Sequence, residues 1–262
     1  MIKTIKLTII SLIDWAYAQR VRKQKKKELT AIKRCFKGGK PINLEDISLG
    51  KGYDSEILMK QFIYKDEDWN YIKYLDDYRK QMRAGRELKL EDNLCHGERK
   101  KYRMEDNRLI VNTKALRDNW LCFILNDFNV GEYLFSFDAE IYSEFTELQI
   151  AFRYKNLGNR YRFMIRNNQE AVFECVYNGE FYHSLWQKPY HLELGKKYRI
   201  SVAVLNKQFL FYIDDELFFS IKEKKQLVSG ENLCLILWNK GNSAPIQCTL
   251  NNFKLEEICK FY

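Results

Sequence analysis

The chain has 262 residues, enough for one large domain or two modest ones. Its 46% hydrophobic content excludes an intrinsically disordered chain despite 30% charged residues, and its 15% aromatic content suits large sheet faces. The formal net charge of +9 is matched by residues 18–40 alone, which hold ten basic residues against Glu28. The basic character therefore describes one local segment.

Residues 11–37 are predicted to form a helix that carries this segment. Ser11 and Asp14 are spaced as a variant of the capping box, and Gly38, Gly39 and Pro41 end the helical pattern. The basic segment Arg20–Lys40 fits an acidic partner, an anionic surface or a solvated helix face. Nucleic acid is not favoured, because no aromatic residue lies between Arg20 and Arg34 to stack on bases.

The first eighteen residues and the cysteines bear on location. Met1–Ala18 has the outline of a secretory signal, with a basic start, an apolar run and a small-residue end. Asp14 and the basic cluster after Ala18 weaken that interpretation, and a membrane anchor or an ordinary buried element are the alternatives. Seven cysteines without Cys-x-x-Cys spacing predict reduced thiols, which favour the cytoplasm, whereas a cleaved signal would place the protein outside the cell.

The rest of the N-terminal region is predicted to be loop and helix. Residues 41–54 look like loop, and apolar residues recur at helical spacing over about 55–84, with an interruption at residues 66–68. Residues 85–100 are polar and resemble a junction. We therefore predict a helical N-terminal region over residues 1–99 and a separate strand-rich region over residues 100–262.

Short apolar strands dominate the second region. Asn178-Gly179 is a strong hairpin signal, Asp214-Asp215 is another turn, and Val202, Phe211 and Leu235 are predicted core residues. Such closely spaced strands, with no helical pattern between them, predict a mainly β fold of two antiparallel sheets. The predicted strands are 109–112, 121–125, 133–141, 148–154, 161–166, 171–177, 181–186, 198–205, 209–214, 217–221, 233–238 and 246–257.

Several short motifs occur in an order that resembles the concanavalin A-like lectin/glucanase superfamily, especially its laminin-G-like modules. The motifs are Met104–Val111, Ala151–Tyr154 with Tyr161–Asn167, Gly195–Ile200, Tyr212–Leu217 and Asn252–Leu255. Asp215 stands where the family usually has glycine. The resemblance covers about residues 100–258 and implies a jelly-roll sandwich that binds or cleaves glycans; the N-terminal region matches no family.

No catalytic, metal or cofactor site is predicted. Hydrolases of this superfamily carry alternating carboxylates on one strand, and the nearest candidates are Asp138, Glu140 and Glu144. The order and spacing of these acids differ from that pattern, so a solvent-facing pair on an edge strand is favoured. The acids of the 214–216 turn are explained by a hairpin as well as by calcium, and the three histidines match no zinc spacing.

Sugar binding needs an aromatic surface and planar polar groups. Alternation places Gln149 and Arg153 on the face opposite Phe152 and Tyr154, and places Arg162 and Arg166 opposite Phe163 and Ile165. Core packing is the alternative for Trp238, and a solvated sheet face is the alternative for the arginines. The predicted ligand-binding residues are Gln149, Arg153, Arg162, Arg166, His183, Trp186, Trp238 and Asn239, with Tyr182 as a further aromatic candidate.

Three functions are compatible with these observations. The first is a non-catalytic carbohydrate-binding, lectin-like module. The second is a scaffold or interaction protein that uses the sandwich and the basic helix for assembly. The third, less favoured, is a glycan-active hydrolase with unfamiliar catalytic residues.

Overall fold

The computed structural model describes residues 2–65, 102–113, 119–125, 131–144, 147–166, 169–239 and 244–261. Within these ranges only the backbone is described for residues 2–17, 63–65, 119, 120 and 261. Two α-helices, α1 (Ile2–Arg34) and α2 (Ser55–Gln61), and a single 3-10 turn (Leu44–Asp46) accompany two antiparallel sheets. The predicted two-sheet sandwich is confirmed.

Sheet I contains nine strands within the described ranges. In spatial order they are β1 (Phe36–Gly38), β14 (Glu216–Glu223), β13 (Gln208–Ile213), β12 (Lys197–Val204), β7 (Tyr133–Ile141), β16 (Gln247–Phe261), β5 (Arg108–Asn112) and β4 (Tyr102–Glu105), with β2 (Ile47–Tyr53) paired to β16. Its long strands therefore lie in the middle, and both ends are made by short strands.

Sheet II contains seven strands within the described ranges. In spatial order they are β11 (Glu180–Pro189), β10 (Glu170–Tyr177), β9 (Asn159–Arg166), β8 (Glu147–Asn156), β15 (Asn232–Asn239), β6 (Asn119–Leu125) and β3 (Phe62–Lys65). The four strands β8 to β11 follow one another in sequence and in space, so short-range pairing builds this half of the sheet.

Two predicted hairpin turns are confirmed by their backbone angles. Asn178 and Gly179 have φ values of 52° and 76°, and Asp214 and Asp215 have φ values of 50° and 63°. Two successive residues at positive φ are the feature of the turn that matches the twist of paired strands. Asparagine and aspartate tolerate this region better than other side chains, which explains how Asp215 stands where glycine is usual.

The core lies between the two sheets and is rich in phenylalanine. Val202, Phe211 and Leu235 are all buried there, as predicted. The ring of Phe211 from sheet I stacks on the ring of Phe163 from sheet II, with centroids 5.1 Å apart and planes 12° apart. Inward residues alternate with outward ones along each strand, so sheet II also presents an outer face.

The N-terminal region contributes strands as well as helices. The predicted helix 11–37 ends at Arg34, and Phe36–Gly38 instead forms β1 at the edge of sheet I. The predicted loop 41–54 contains β2, and the predicted helix 55–84 begins with α2 but gives way to β3 at Phe62. Those expectations were wrong because each strand finds its partner far along the chain, on β14, β16 and β6. The rest of that helix and the boundary at residue 99 lie outside the described residues.

The basic segment lies on the surface. All ten of its lysine and arginine side chains are exposed, whereas Ile32 and Phe36 are buried and attach this part of the chain to the core. Only residues 20–34 of the segment are helical, and Lys37 lies on β1. Neither helix in the described residues has both the length and the apolar character that crossing a bilayer requires.

Candidate functional site

The outer face of sheet II carries the densest group of buried charges among the described residues. On β9, Tyr161, Phe163 and Ile165 point into the core, so Arg162 and Arg166 point outward, as alternation predicted. Arg162 lies opposite Glu174 of β10 in the strand register. The predicted segregation of these arginines from the core is therefore confirmed, but Arg162 is only 1% exposed and does not lie on a solvated face.

Glu174 is the centre of this group and has no accessible surface. Its carboxylate accepts hydrogen bonds from Nη2 of Arg162 at 2.5 Å, Nη1 of Arg166 at 3.0 Å and the backbone N–H of Ser184 at 3.1 Å. Burial alone would raise the pKa of Glu174, but Arg162 and His183 outweigh it and bring the pKa to about 2. Glu174 is therefore ionised at neutral pH and acts only as an acceptor.

The charge on Glu174 fixes the orientation of His183. Nδ1 of the imidazole lies 3.0 Å from Oε2 of Glu174. Because an ionised carboxylate has no proton to give, Nδ1 must carry the hydrogen and donate it. Whenever the ring is neutral, Nε2 is then its acceptor, on a side chain that is 54% exposed.

Arg162 connects Glu174 to a second carboxylate on β8. Its Nη1 donates to Oε1 of Gln149 at 2.8 Å and lies 3.9 Å from Oε2 of Glu147. The amide of Gln149 in turn donates to Glu147. All these side chains are buried, and the Arg162 guanidinium lies 2.5 Å from one carboxylate and 3.9 Å from the other, so opposite charges hold the network together.

The accessible rim of the network lies along β10, β11 and the end of β9. Nε of Arg166 donates to Glu170 at 2.8 Å, and its Nη2 donates to Oγ of Ser184 at 3.0 Å. The His183 ring stacks on Phe181 with centroids 5.4 Å apart and planes 4° apart. The Arg162 guanidinium lies 5.2 Å from the centroid of the Phe181 ring, which is cation–π range. We call Arg166, Glu170, Phe181, His183 and Ser184 the rim.

Two further predicted ligand residues, Trp238 and Asn239 at the end of β15, are buried. Trp238 is 8% exposed and belongs to an apolar cluster with Ile124, Ala151 and Ile236. Asn239 has no accessible surface, and its amide donates to the carbonyl of Ala244. The expected open indole surface was wrong: the side chain lies on the predicted face, but it is packed, which was the alternative interpretation.

Arg153 does not lie on this face. A β-bulge between Phe152 and Asn156 interrupts the pairing of β8 with β9, and Arg153 has a φ of 44°. Its guanidinium lies 5.5 Å from the centroid of the Phe209 ring of sheet I and donates to the carbonyl of Asn206. The prediction that Arg153 shares a face with Gln149, and Tyr154 with Phe152, was wrong, because a bulge reverses the alternation beyond Phe152.

Trp186 is also separate from the rim. It lies opposite Phe173 in the register and packs against the rings of Phe173 and Phe36, at centroid distances of 5.9 and 6.2 Å. Both partners are core residues. Trp186 and Tyr182 therefore pack against the inter-sheet core at the edge of sheet II.

The carboxylates considered for catalysis belong to the other sheet. Asp138 was expected on an edge strand. That expectation was wrong, because β7 lies between β12 and β16. Its carboxylate is held by Lys197 at 2.8 Å, Arg199 at 3.0 Å and Asn252 at 2.7 Å. Burial would raise the pKa of Asp138, but these three partners lower it below its usual value. Asp138 is thus a structural anion.

Residues that the sequence analysis did not select prove central. Glu174 holds Arg162, Arg166 and His183, and Phe181 supports the imidazole. The sequence did contain a signal for Glu174, which is an acid inside the apolar run Ala171–Val176. An acid in a buried strand almost always has a charged partner, so this position indicates a buried ion pair. No group of three or more histidine, cysteine, aspartate or glutamate side chains in the described ranges is arranged to hold a metal ion.

Comparison with known proteins shows the fold. No protein-family model and no curated protein sequence matches the chain. A laminarinase from Flavobacterium sp. UMI-01 is 9% identical with a TM-score of 0.53, and the match covers 80% of this chain and all of that one. A native glycosidic hydrolase is 7% identical with a TM-score of 0.53, covering 82% of this chain and all of that one. A carbohydrate-binding module from Bacillus subtilis is 15% identical over 60% of this chain and 91% of that one, with a TM-score of 0.47.

The chain therefore has the jelly-roll fold of concanavalin A-like lectins and glucanases.

Proposed function

We propose that the protein binds a glycan at the rim and does not cleave it. The observation that carries the proposal is the attachment of an exposed imidazole and a partly exposed guanidinium to one fully buried carboxylate, Glu174. Groups held in this way lose little freedom when a ligand arrives, which favours binding of small polar ligands.

The rim offers the atoms that a sugar hydroxyl needs. A hydroxyl both donates and accepts, so it can donate to Nε2 of His183 and accept from an N–H of Arg166. The flat His183–Phe181 pair adds an aromatic surface beside these polar groups. Arg162 and Gln149 do not reach the ligand in this proposal; they support Glu174 from below.

The charges of the rim favour a neutral sugar. Arg166 forms ion pairs with Glu170 at 2.7 Å and with Glu174 at 3.0 Å, so its charge is already compensated. The negative charges of Glu170 and Glu174 would repel a sugar carboxylate, whereas they would not repel an uncharged hydroxyl. Such shallow sites bind weakly, and we expect a dissociation constant on the order of 0.01–1 mM, or roughly 4–7 kcal/mol.

The two best-held carboxylates described above, Glu174 and Asp138, are unsuited to cleavage of a glycosidic bond. Hydrolysis of a glycosidic bond needs one carboxylic acid that is still protonated at working pH. Glu174 has a pKa of about 2, and the pKa of Asp138 is lowered too, so neither suits that role. The laminarinase with the same fold makes glycans the first ligand class to test.

The test is a glycan array with the full-length chain and three variants. We expect His183→Ala and Arg166→Ala to lose binding to every glycan that the wild type retains. Tyr142→Ala, an exposed aromatic residue after β7 of the other sheet, should bind like the wild type. An array without any bound glycan contradicts the proposal, and binding that survives both rim substitutions places the site elsewhere. Release of reducing ends from a bound glycan would overturn the non-catalytic part.

A second function, contact with an anionic surface or acidic partner through the basic segment, is favoured by a different observation. Ten exposed basic side chains face solvent between Arg20 and Lys40, and Glu28, the one acid among them, accepts a hydrogen bond from Gln24 at 2.8 Å. A scaffold role would use this surface while the sandwich holds its position. The attraction should weaken as salt screens it.

Charge reversal tests this second function better than deletion. Removing residues 1–55 would also remove β1 and β2 from sheet I, so misfolding would confuse the result. We expect the triple variant Lys25→Glu, Lys26→Glu, Lys27→Glu to lose binding to phosphatidylserine vesicles and to polyglutamate. A control with Lys51, Lys254 and Lys260, which are exposed on β2 and β16, changed to glutamate should keep it. Equal binding by both variants would show that the segment is a solvated helix face.

A further inference from the structure

Two cysteines meet on the outer face of sheet II, outside the rim. Cys122 lies on β6 and Cys234 on β15, and their sulfur atoms are 3.0 Å apart. In the register Cys122 pairs with Ile236 and Cys234 with Ile124, so the cysteines are diagonal neighbours on adjacent strands. Both are buried, and both are in the reduced form.

The distance between the two sulfur atoms is shorter than an ordinary van der Waals contact. Non-bonded heavy atoms in a core pack best at roughly 3.5–4.0 Å, and a disulfide bond is about 2.05 Å long. The two sulfurs are therefore about 1 Å from bonding distance. The thiols are surrounded by the hydrophobic side chains of Ala151, Ile236 and Trp238. The two thiols are therefore the reactive groups of this cluster.

We propose that Cys122 and Cys234 form a redox-active pair that hydrogen peroxide converts into a disulfide. One thiol sulfur attacks the O–O bond, which breaks to give a sulfenic acid and one water molecule. The second sulfur then attacks the sulfenic sulfur, the S–S bond forms and a second water molecule leaves. Both thiols are oxidised together by two electrons, peroxide is reduced, and the two thiol hydrogens end in the two water molecules.

Peroxide is the oxidant that fits the burial of the pair. A protein or peptide disulfide cannot approach a sulfur without accessible surface, whereas a water-sized molecule enters through small openings of the structure. Oxidation should therefore be slow compared with that of the exposed Cys259, but it should give a single product. The product would fasten β6 to β15, which already pairs with all 7 residues of β6.

The proposal does not depend on glycan binding and is tested by peptide mapping of the full-length protein. The folded protein is treated with hydrogen peroxide, quenched with catalase, denatured, alkylated and digested without reductant. We expect a cross-linked peptide pair that contains Cys122 and Cys234, is lighter by two hydrogens and disappears after dithiothreitol. Cys259→Ala should leave it unchanged.

Two controls keep the result interpretable. Cys122→Ala should abolish the cross-link and leave Cys234 available for alkylation, and its melting temperature shows whether the variant folds. Cys234→Ala provides the reciprocal test. If both cysteines are alkylated in the peroxide-treated wild type while Cys259 is oxidised, the sulfurs only pack together and the proposal is wrong. It is also wrong if the cross-link forms only when urea is present during oxidation.

Discussion

Nδ1 of His183 lies 3.0 Å from Oε2 of Glu174, so a ring that is half exposed is held by a carboxylate with no accessible surface. The same carboxylate binds Arg162 and Arg166. Glu174 thereby connects the buried part of the outer face to its rim. The stability of the sheet and the geometry of the rim should respond together when this residue is changed.

Replacing Glu174 by glutamine should destabilise the protein. Glutamine keeps the shape but not the charge, and it leaves the guanidinium of Arg162 buried with less compensation. Breaking a buried ion pair from one side typically costs about 3–5 kcal/mol. The free energy of unfolding in urea measures the effect, and Glu170→Gln is the matched control because that carboxylate is partly exposed and should lose less than about 1 kcal/mol. Equal losses in the two variants would contradict the central role of Glu174.

The contribution of Glu174 should depend on pH in a defined window. Its pKa is about 2 in the folded protein against 4.5 as the ordinary value, so the unfolded chain binds the proton more tightly. Stability from this group is therefore complete above about pH 5, and it is lost as pH falls from 4.5 towards 2. The difference in unfolding free energy between wild type and Glu174→Gln should shrink over that range. A constant difference from pH 7 to pH 2 would rule out this linkage.

Glu223 should show the opposite dependence. Burial raises the pKa of this carboxyl above 4.5, even though Tyr161 and the backbone N–H of Leu227 donate to it. The folded protein then binds the proton more tightly, and stability falls as pH rises from 4.5 through the raised pKa. Glu223→Gln keeps an acceptor for both donors, so it should equal or exceed the wild type in urea stability at pH 8, with less gain at pH 4. A larger loss at pH 8 than at pH 4 would show that the ionised form is the stabilising one.

Trp238→Ala should lower the stability of the fold, whereas a substitution in an open ligand site would leave it nearly unchanged. The indole is packed among Ile124, Ala151 and Ile236, and truncating a buried tryptophan typically costs about 3–5 kcal/mol. Thermal and urea unfolding measure the loss, with Tyr142→Ala as the exposed aromatic control, expected within about 0.5 kcal/mol of the wild type. An unchanged melting temperature would contradict the packed position of Trp238 and support an open indole surface.

Local sequence was enough to predict the long strands and their inward faces. Alternation along β9 separated Arg162 and Arg166 from Phe163 and Ile165, and the structure preserves that separation. Asn178-Gly179 and Asp214-Asp215 marked their hairpins because positive φ is a property of the residues at the turn itself. Strand alternation and turn conformation depend on a few neighbouring residues, so they can be predicted without knowing which strand pairs with which.

Tertiary structure decided the rest of the site. Arg153 left the predicted face because a bulge in β8 depends on how that strand meets β9. Trp186 packs against the edge of the core because Phe36, about 150 residues earlier in the chain, completes its environment. β1 and β2 have no strand signal of their own and gain order from β14 and β16. Whether a side chain on the outer face is open or packed depends on contacts distant in sequence, since burial is a property of the assembled sandwich.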